Sequence, residues 1–353
     1  MKEGRTLTEL ASEIERQNAV KKDYLADTRK MEMVLTDNSP QLAVPDKGLT
    51  LALNSVAHRQ IGEHTGIPAK YYDKMHSNLP GLLADNVNAW FKNQPEVRMI
   101  RTLDGTARAF LSKKYRRLDN FEVMKAVLPI LGQIQDVQFP STQLTENRMY
   151  IKAVNPRLQA EVQKGDIVQA GIMITNSETG MGSVCVQPLI YRLVCLNGMV
   201  VNDAATRRYH VGRENTANEN YELYSDDTIR ADDHAFVLKM QDTVKAAVDE
   251  ARFSQVIDQM REAAEAKITG DIPEVVELTS RELKFTKDES SGILNHLIRD
   301  GDFSLYGLAN AVTKHSQEVA SYDRATDLEA AGYSVLTMNP KLWNRINAEA
   351  AKK

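Results

Sequence analysis

A two-residue turn near residue 105 constrains the fold more than any other feature of the chain. Asp104-Gly105 separates two runs, Val97–Arg101 and Thr106–Arg117, in which residues that favour strands are frequent. Asp-Gly readily adopts the positive φ angles of a type I′ turn, which matches the twist of two antiparallel strands. The sequence therefore predicts a β-hairpin at this position.

Helical patterns lie on both sides of this hairpin. Upstream, a polar helix is predicted over Leu7–Asn18 or longer. Thr50–Phe91 places apolar residues at helical spacing, and downstream Asp232–Ala266 does the same. Shorter helices are predicted at Val275–Leu283, Ser290–Ile298 and Leu305–Val319. After the hairpin come a helix and several strand-like runs, namely Phe121–Leu128, then Arg148–Val154, Ile167–Thr175, Val184–Gln187 and Leu189–Val201. The predicted class is α+β, a central β-rich core with basic hairpins in the order β-β-α-β-β-β, flanked by N- and C-terminal helical segments.

Changes of pattern divide the chain into four predicted segments. These are an N-terminal helical arm (1–45), a helical segment (46–95), a β-rich core that is the candidate nucleic-acid-binding region (96–225) and a C-terminal helical region (226–353). A breaker at Thr36–Pro40 ends the helical pattern of the arm. Within the core, Asn197-Gly198 is a second hairpin signal, and Pro188 indicates a sheet edge or a bulge.

The charge of the chain is unevenly distributed. The formal net charge is −4, yet Arg98–Arg117 contains seven basic residues and only one acid, Asp104. In contrast, Glu219–Glu265 contains twelve acids against five bases. Such asymmetry is typical of a surface that faces a polyanion, and it is also compatible with ordinary solvated faces.

Strict strand pairing across the Asp104-Gly105 turn groups cations with an aromatic ring. It places Arg101 opposite Arg108, with Phe110, Lys114 and Arg116 on the same face. Two arginines that face each other repel, but a bridging phosphate would stabilise both. Cations interleaved with an aromatic are typical of single-strand binding, where a ring stacks on a base. The alternative is a solvated hairpin face whose cations extend into water.

A second basic cluster follows the second hairpin signal. It consists of Arg207, Arg208 and Tyr209, with Arg192 upstream. This cluster could extend a nucleic-acid track, or it could form a loop that closes over the acidic helix at Asp226–Glu265. The predicted nucleic-acid-binding residues are Arg98, Arg101, Arg108, Phe110, Lys113, Lys114, Tyr115, Arg116, Arg117, Arg192, Arg207, Arg208 and Tyr209.

Motifs of common enzyme classes are missing from the sequence. It contains no GxxxxGK[ST], GxGxxG, GxSxG or HExxH, and its two cysteines cannot form a four-cysteine zinc site. His58 and His64 fall on different faces of a helix, so they are not expected to share an ion. We therefore predict a non-enzymatic protein without cofactor or metal. The short apolar stretches and the polar first ten residues predict no membrane association and a reduced cytoplasmic compartment.

Four segments together resemble a known family. They are His64–Tyr72, Phe110–Asn120, Leu189–Met199 and Tyr306–Thr313. In this order they resemble the phage/plasmid-like protein family, domain of unknown function 932, over roughly residues 50–340. The resemblance implies a mobile-element setting and brings no catalytic residue. The element order and the basic hairpin are also similar to single-strand annealing recombinases, which implies a homo-oligomer.

These features predict a DNA-binding protein of a mobile element. It would bind single strands largely independently of sequence, with strand annealing in recombination or replication as the extended function. The alternative is a non-enzymatic protein-interaction or host-modulating factor that acts through its acidic C-terminal helices.

Overall fold

The computed structural model describes two β-sheets and the helices that cover them. The structure describes residues 1–202 (except Arg116 and Ser183), 231, 234–235, 237–239, 241–242, 244–245 and 249–352. For residues 210–211 only the backbone is described. Among these residues, no helix combines the length and the apolarity that crossing a membrane requires. The α+β class predicted from the sequence is confirmed.

The first sheet is built from the N-terminal third of the chain. Its elements are α1 (Leu7–Val20), β1 (Lys22–Asp27), β2 (Glu32–Thr36), β3 (Ser39–Val44), β4 (Leu49–Leu53), α2 (Ser55–Thr65), α3 (Ala69–Asn78), α4 (Pro80–Asn93), β5 (Val97–Leu103) and β6 (Thr106–Ser112). The strand order is β1-β5-β6-β4-β3-β2, with β4 and β6 parallel. Helices α2 and α4 pack their apolar residues, among them Ile61 and Val87, against Ile100 and Phe110 of this sheet.

The second sheet follows in the chain. Its elements are α5 (Asn120–Leu131), β7 (Gln138–Leu144), β8 (Met149–Gln163), β9 (Asp166–Asn176), β10 (Val184–Arg192), β11 (Asn197–Val200) and β12 (His210–Val211). The order is β11-β10-β9-β8-β7, and β12 pairs with β10. Helices α1 and α5 pack against Ile151 and Ile174 of this sheet.

The C-terminal helices cover the other end of the second sheet. They are α6 (Glu250–Glu265), α7 (Ile272–Leu283), α8 (Lys287–Asp300), α9 (Leu305–His315), α10 (Tyr322–Leu336) and α11 (Pro340–Ala350). Phe253 of α6 and Tyr306 of α9 belong to one apolar core with Val168, Ile190 and Met199 of the sheet. The predicted helix Asp232–Ala266 is found as α6 at its end, and the described residues of its earlier part, 234–235, 237–239, 241–242 and 244–245, are also helical.

Residues 22–53 differ from the predicted helical arm. Only α1 follows that prediction, because β1 to β4 occupy the segment that follows. The breaker at Thr36–Pro40 is the turn of the β2–β3 hairpin, where Asp37 and Asn38 have φ of 50° and 64°. In addition, β1 pairs with β5, so the boundary predicted near residue 95 lies inside a single sheet. These strands obtain their stability from partners distant in sequence, which a local pattern does not reveal.

The predicted hairpin is present, but its register is not the predicted one. Asp104 and Gly105 have φ of 49° and 76°, as a type I′ turn requires. Thr102 faces Ala107 as predicted, whereas Arg101 faces Ala109. Arg108 is therefore an extra residue, a β-bulge, and the predicted pairing of Arg101 with Arg108 is wrong.

The second hairpin signal has a different role. Asn197-Gly198 begins β11, and residues 193–196 form the turn, with Leu196 at φ 51°. The Asn197 amide donates to the Thr313 hydroxyl at 2.5 Å. A Cβ at position 198 would press on Met1 and on Leu189, so this glycine permits a close approach within the sheet. Pro188 lies between the β11 and β12 ladders on β10.

One prediction concerns glycine packing in the C-terminal helices. A Cβ at Gly307 of α9 would overlap the Asp302 carbonyl, whereas a Cβ at Gly81 of α4 would meet only Leu35 at 3.9 Å. We expect Gly307→Ala to lower the free energy of unfolding by about 1–3 kcal/mol. We expect Gly81→Ala to leave it unchanged or raise it by up to about 1 kcal/mol, since alanine favours helices. Urea denaturation measures both, and equal shifts in the two variants would contradict the packing argument.

Candidate nucleic-acid interface

Arg101 occupies the centre of a buried group of charges. Its side chain is 0% exposed and donates three hydrogen bonds, to the Asp23 carboxylate at 2.9 Å, to the Asp119 carboxylate at 2.6 Å and to the backbone carbonyl of Glu178 at 2.9 Å. A fully desolvated guanidinium needs such partners, because an unpaired buried charge is strongly unfavourable.

Further charges complete this group. Arg108 Nη2 lies 2.5 Å from Glu178 Oε2, as an ion pair that is not aligned as a hydrogen bond. The other Glu178 oxygen accepts from the backbone N–H of Asn120 at 2.6 Å. Lys21 donates to Asp119 at 2.6 Å and lies 3.8 Å from Glu178. We name the set of Lys21, Asp23, Arg101, Arg108, Asp119 and Glu178 the ionic latch.

Within the latch, Asp119 and Arg101 stay ionised at neutral pH. Burial disfavours the charged form of Asp119, but Arg101 and Lys21 outweigh it and hold the pKa of this carboxyl below its ordinary value. Burial likewise acts against the charge of Arg101, yet Asp119 and Asp23 together raise the pKa of its guanidinium. Each charge in the latch is therefore stabilised by its partners.

The ionic latch joins the two sheets. Arg101 and Arg108 belong to β5 and β6 of the first sheet, Asp119 precedes α5, and Glu178 lies in the loop between β9 and β10 of the second sheet. This placement corrects the predicted exposed face, because both arginines are buried and occupied within the protein. The observed carboxylate partners of the two arginines are Asp23, Asp119 and Glu178.

Phe110 is likewise not available to stack on a base. It is 1% exposed and stacks on Phe91 with ring centroids 5.8 Å apart. Arg98 lies over the Phe110 ring at 5.1 Å and pairs with Glu96 at 3.3 Å. The bulge at Arg108 changes which residues of β6 point into the core, so the predicted alternation does not apply beyond it.

The remaining predicted residues divide into three sets. Tyr115 donates its hydroxyl to the Ser177 carbonyl at 3.2 Å, and Arg192 pairs with Asp166 at 2.6 Å, so both make internal contacts. Lys113, Lys114 and Arg117 are exposed. Outside the described residues lie Arg116, Arg207, Arg208 and Tyr209.

In the segment that follows β6, the described cations Lys113, Lys114 and Arg117 are exposed to solvent. We name Lys113–Arg117 the cationic turn. Arg117 pairs with Asp23 at 3.1 Å while remaining exposed, and within the described part of the chain Lys113 and Lys114 have no ion-pair partner. The Tyr115 hydroxyl attaches this turn to the loop between β9 and β10.

A cleft of about 510 Å³ lies between α2 and α3, and the sequence analysis did not identify it. Its polar lining includes Ser55, His58, Arg59, Tyr72, His76 and Asn147. Nδ1 of His58 lies 2.9 Å from the Tyr72 hydroxyl, and the His58 and His76 ring centroids are 4.5 Å apart. The available signal was weak, because Tyr72 and His76 are four residues apart on one helix face and His58 is on another helix.

Two aromatic groups of the cleft, His58 and Tyr72, are neutral at neutral pH. Burial, and secondly the neighbouring His76, lowers the pKa of His58 to about 4. Burial also raises the pKa of the Tyr72 hydroxyl well above its ordinary value. His58 and Tyr72 thus offer uncharged hydrogen-bonding groups to the cleft, whose lining also includes Arg59 and Asp73.

One loop connects the cationic turn with the cleft. Ser177 accepts from Tyr115 through its carbonyl and donates its hydroxyl to the Asn147 carbonyl at 2.7 Å. Asn147 lines the cleft, and Arg59, also in the lining, donates to the Met181 sulfur at 3.1 Å. The loop from Ser177 to Met181 therefore contacts both features.

Two of the segments that carry the family resemblance meet in the interior. Asp166 accepts from Arg192 at 2.6 Å and from the Tyr306 hydroxyl at 2.7 Å. Together with the hydrogen bond between Asn197 and Thr313, these contacts fasten β10 and β11 to α9. The motif residues in these two segments thus have structural contacts that explain their residue types.

The pH dependence of stability tests the environment of His58. Because its pKa is about 4 when folded and near 6.5 when unfolded, the unfolded state binds more protons between these values. Its contribution therefore lowers stability as pH falls through that window. We expect His58→Gln, which can still contact Tyr72, to lose less stability than the parent protein between about pH 7 and pH 5. Parallel pH profiles in urea denaturation would contradict this assignment.

A second prediction tests the latch. Arg101→Ala removes the fully buried partner that Asp23 and Asp119 share and leaves these partly buried carboxylates with Arg117 and Lys21 alone, so we expect a loss of about 3 kcal/mol in the free energy of unfolding. The control is Arg117→Ala, whose side chain pairs with the same Asp23 but is exposed, and we expect a loss of less than about 1 kcal/mol. Comparable losses in both variants would show that the burial of Arg101 does not determine how much it contributes to the free energy of unfolding.

Comparison with known proteins adds one match. The model of a family described as a domain of unknown function, DUF932, matches residues 109–337. The match begins within β6 and ends just after α10, so the segment His64–Tyr72 lies outside it. No curated protein and no solved structure matches the chain.

Proposed function

This chain belongs to the DUF932 family, whose description assigns no activity, and we propose that it binds single-stranded DNA through the cationic turn and the adjoining cleft. The observation that carries the proposal is the exposure of Lys113, Lys114 and Arg117 next to the latch, which holds Arg101 and Arg108 of the hairpin. Cations at the surface attract phosphates and release counterions when they bind them.

The division of the basic segment supports this assignment. Arg98, Arg101 and Arg108 are each engaged with a carboxylate inside the protein or at its margin. Lys113 and Lys114 extend from a turn that Tyr115 anchors, which places two mobile point charges at a fixed location. Such contacts hold a backbone without reading its sequence.

The cleft supplies groups that suit a base. The neutral imidazole of His58, the Ser55 hydroxyl and the Asn147 amide can donate to and accept from the edge of a splayed base. On the same helix α3, Tyr71 is 48% exposed between the exposed Lys70 and Lys74. Tyr71 thus takes the stacking role that the sequence analysis gave to Phe110.

The proposed cellular setting rests on the resemblance to the phage/plasmid-like protein family. We place the protein in the cytoplasm of a cell that carries a mobile element, and its two free thiols, Cys185 and Cys195, are compatible with a reducing compartment. Strand annealing and assembly into a homo-oligomer extend the proposal. Binding itself requires no cofactor.

A charge-reversal experiment tests the proposal. Fluorescence anisotropy with a labelled single-stranded oligonucleotide should show binding that weakens with salt. With three phosphate contacts, the slope of log K against log salt is expected near about −2. Lys113→Glu combined with Lys114→Glu should weaken binding at least tenfold and reduce the slope to about −0.7, because two contacts are lost.

The matched control changes the same amount of charge elsewhere. Lys47 lies at the opposite end of the first sheet, since β4 runs parallel to β6 and pairs with its beginning, and Lys341 is on α11. Lys47→Glu combined with Lys341→Glu should leave affinity within about twofold at moderate salt. Equal weakening in both double variants, or tighter binding of the duplex, would contradict the proposed surface.

The exposed acidic face of α6 favours a second candidate function. Asp258, Glu262 and Glu265 are exposed, while the opposite side of the helix packs into the core. A partner protein with a basic surface would fit this face. In that case Glu262→Lys combined with Glu265→Lys abolishes partner binding and leaves the oligonucleotide titration unchanged.

A further inference from the structure

We propose that His296, His315 and Glu318 form a binding site for one divalent transition-metal ion, with Zn²⁺ as the reference cation. His296 lies on α8, His315 ends α9, and Glu318 follows in the next turn. The site is independent of the proposed nucleic-acid surface, because it lies in the C-terminal helices. The sequence analysis predicted no metal, since only the fold brings His296 to the other two residues.

The spacing of the ligand atoms fits a metal ion. Nε2 of His296 lies 3.0 Å from Glu318 Oε1, and Nδ1 of His315 lies 3.3 Å from Glu318 Oε2. One ligand atom from each residue can be chosen so that all three lie within 4.8 Å of one another. In a tetrahedral zinc site with bonds of 2.0–2.1 Å, neighbouring ligand atoms are about 3.4 Å apart. Small side-chain adjustments would therefore close the site around an ion.

The ligand set indicates an open coordination sphere. Two imidazoles and one carboxylate are the protein ligands of several catalytic zinc sites, in which a fourth position takes water or substrate. His296 is 4% and His315 9% exposed, whereas the Glu318 side chain is 56% exposed. The two nitrogens are thus fixed from inside the protein, and the remaining position faces solvent.

The surroundings favour a cation at this place. Gly292 on α8 faces the His315 ring, and any Cβ there would overlap the imidazole. Nδ1 of His296 is buried without a hydrogen-bond partner among the described residues, so this ring makes its polar contact through Nε2 toward Glu318. The neighbouring Lys314 is paired with Asp300 at 2.6 Å, which reduces its repulsion of a bound cation.

The test uses the full-length protein after removal of metals by a chelator. Isothermal titration with ZnCl₂ measures stoichiometry and affinity, and titration with Co²⁺ gives the visible absorption that is characteristic of a tetrahedral ion. The informative variant is Glu318→Gln, because this side chain is exposed and its loss does not disturb the core. His315→Gln is the second variant, with circular dichroism to confirm its fold.

The matched control is Glu96→Gln. Glu96 is similarly exposed and also faces a histidine, His64, at 3.5 Å, but without a second imidazole. We expect the parent protein to bind one equivalent of Zn²⁺ per chain. Both site variants should bind Zn²⁺ at least tenfold more weakly and lose the tetrahedral Co²⁺ spectrum, whereas the affinity of the control should stay within twofold of the parent. Absence of stoichiometric binding, or equal affinity in Glu318→Gln and Glu96→Gln, would overturn the proposal.

Discussion

The ionic latch around Arg101 is the interaction on which the arrangement of the two sheets depends. Its cations come from the residue that follows α1 and from β5 and β6, and its carboxylates come from β1, the segment before α5 and the β9–β10 loop. Apolar packing of α1 and α5 supports the second sheet, but the charges fix its orientation, because each needs a partner at a defined position. A buried network of this type gives specificity more than net stability.

The latch also changes the functional interpretation of the basic segment. Charge counting treats all cations between Arg98 and Arg117 as one surface. Burial separates them into arginines that pair with carboxylates inside the protein and the exposed cations of the cationic turn. The turn remains attached to the latch region through Tyr115 and Ser177. One segment of the chain therefore supplies both the buried arginines of the latch and the exposed cations that we propose to bind DNA.

The sequence allowed some features to be predicted and not others, for identifiable reasons. The Asp104-Gly105 turn was predictable because its signal is local. The helical character of the segment that contains α2 to α4 was predictable from apolar spacing. The register was not, because the bulge at Arg108 depends on Glu178, a residue seventy positions away. The strands of residues 22–53 were missed because β1 pairs with β5 across more than sixty residues. The cleft and the His296 site were missed for the same reason: their residues meet only in the folded chain.

A double-mutant cycle between Arg108 and Glu178 tests the latch most directly. The two single variants, Arg108→Gln and Glu178→Gln, and their combination are compared with the parent protein in urea denaturation. Our account predicts a coupling energy of about 1–3 kcal/mol that moderate salt does not remove, because the pair is shielded from solvent. Additive effects of the two substitutions would contradict it, and would mean that Arg108 is free to serve a ligand at the surface.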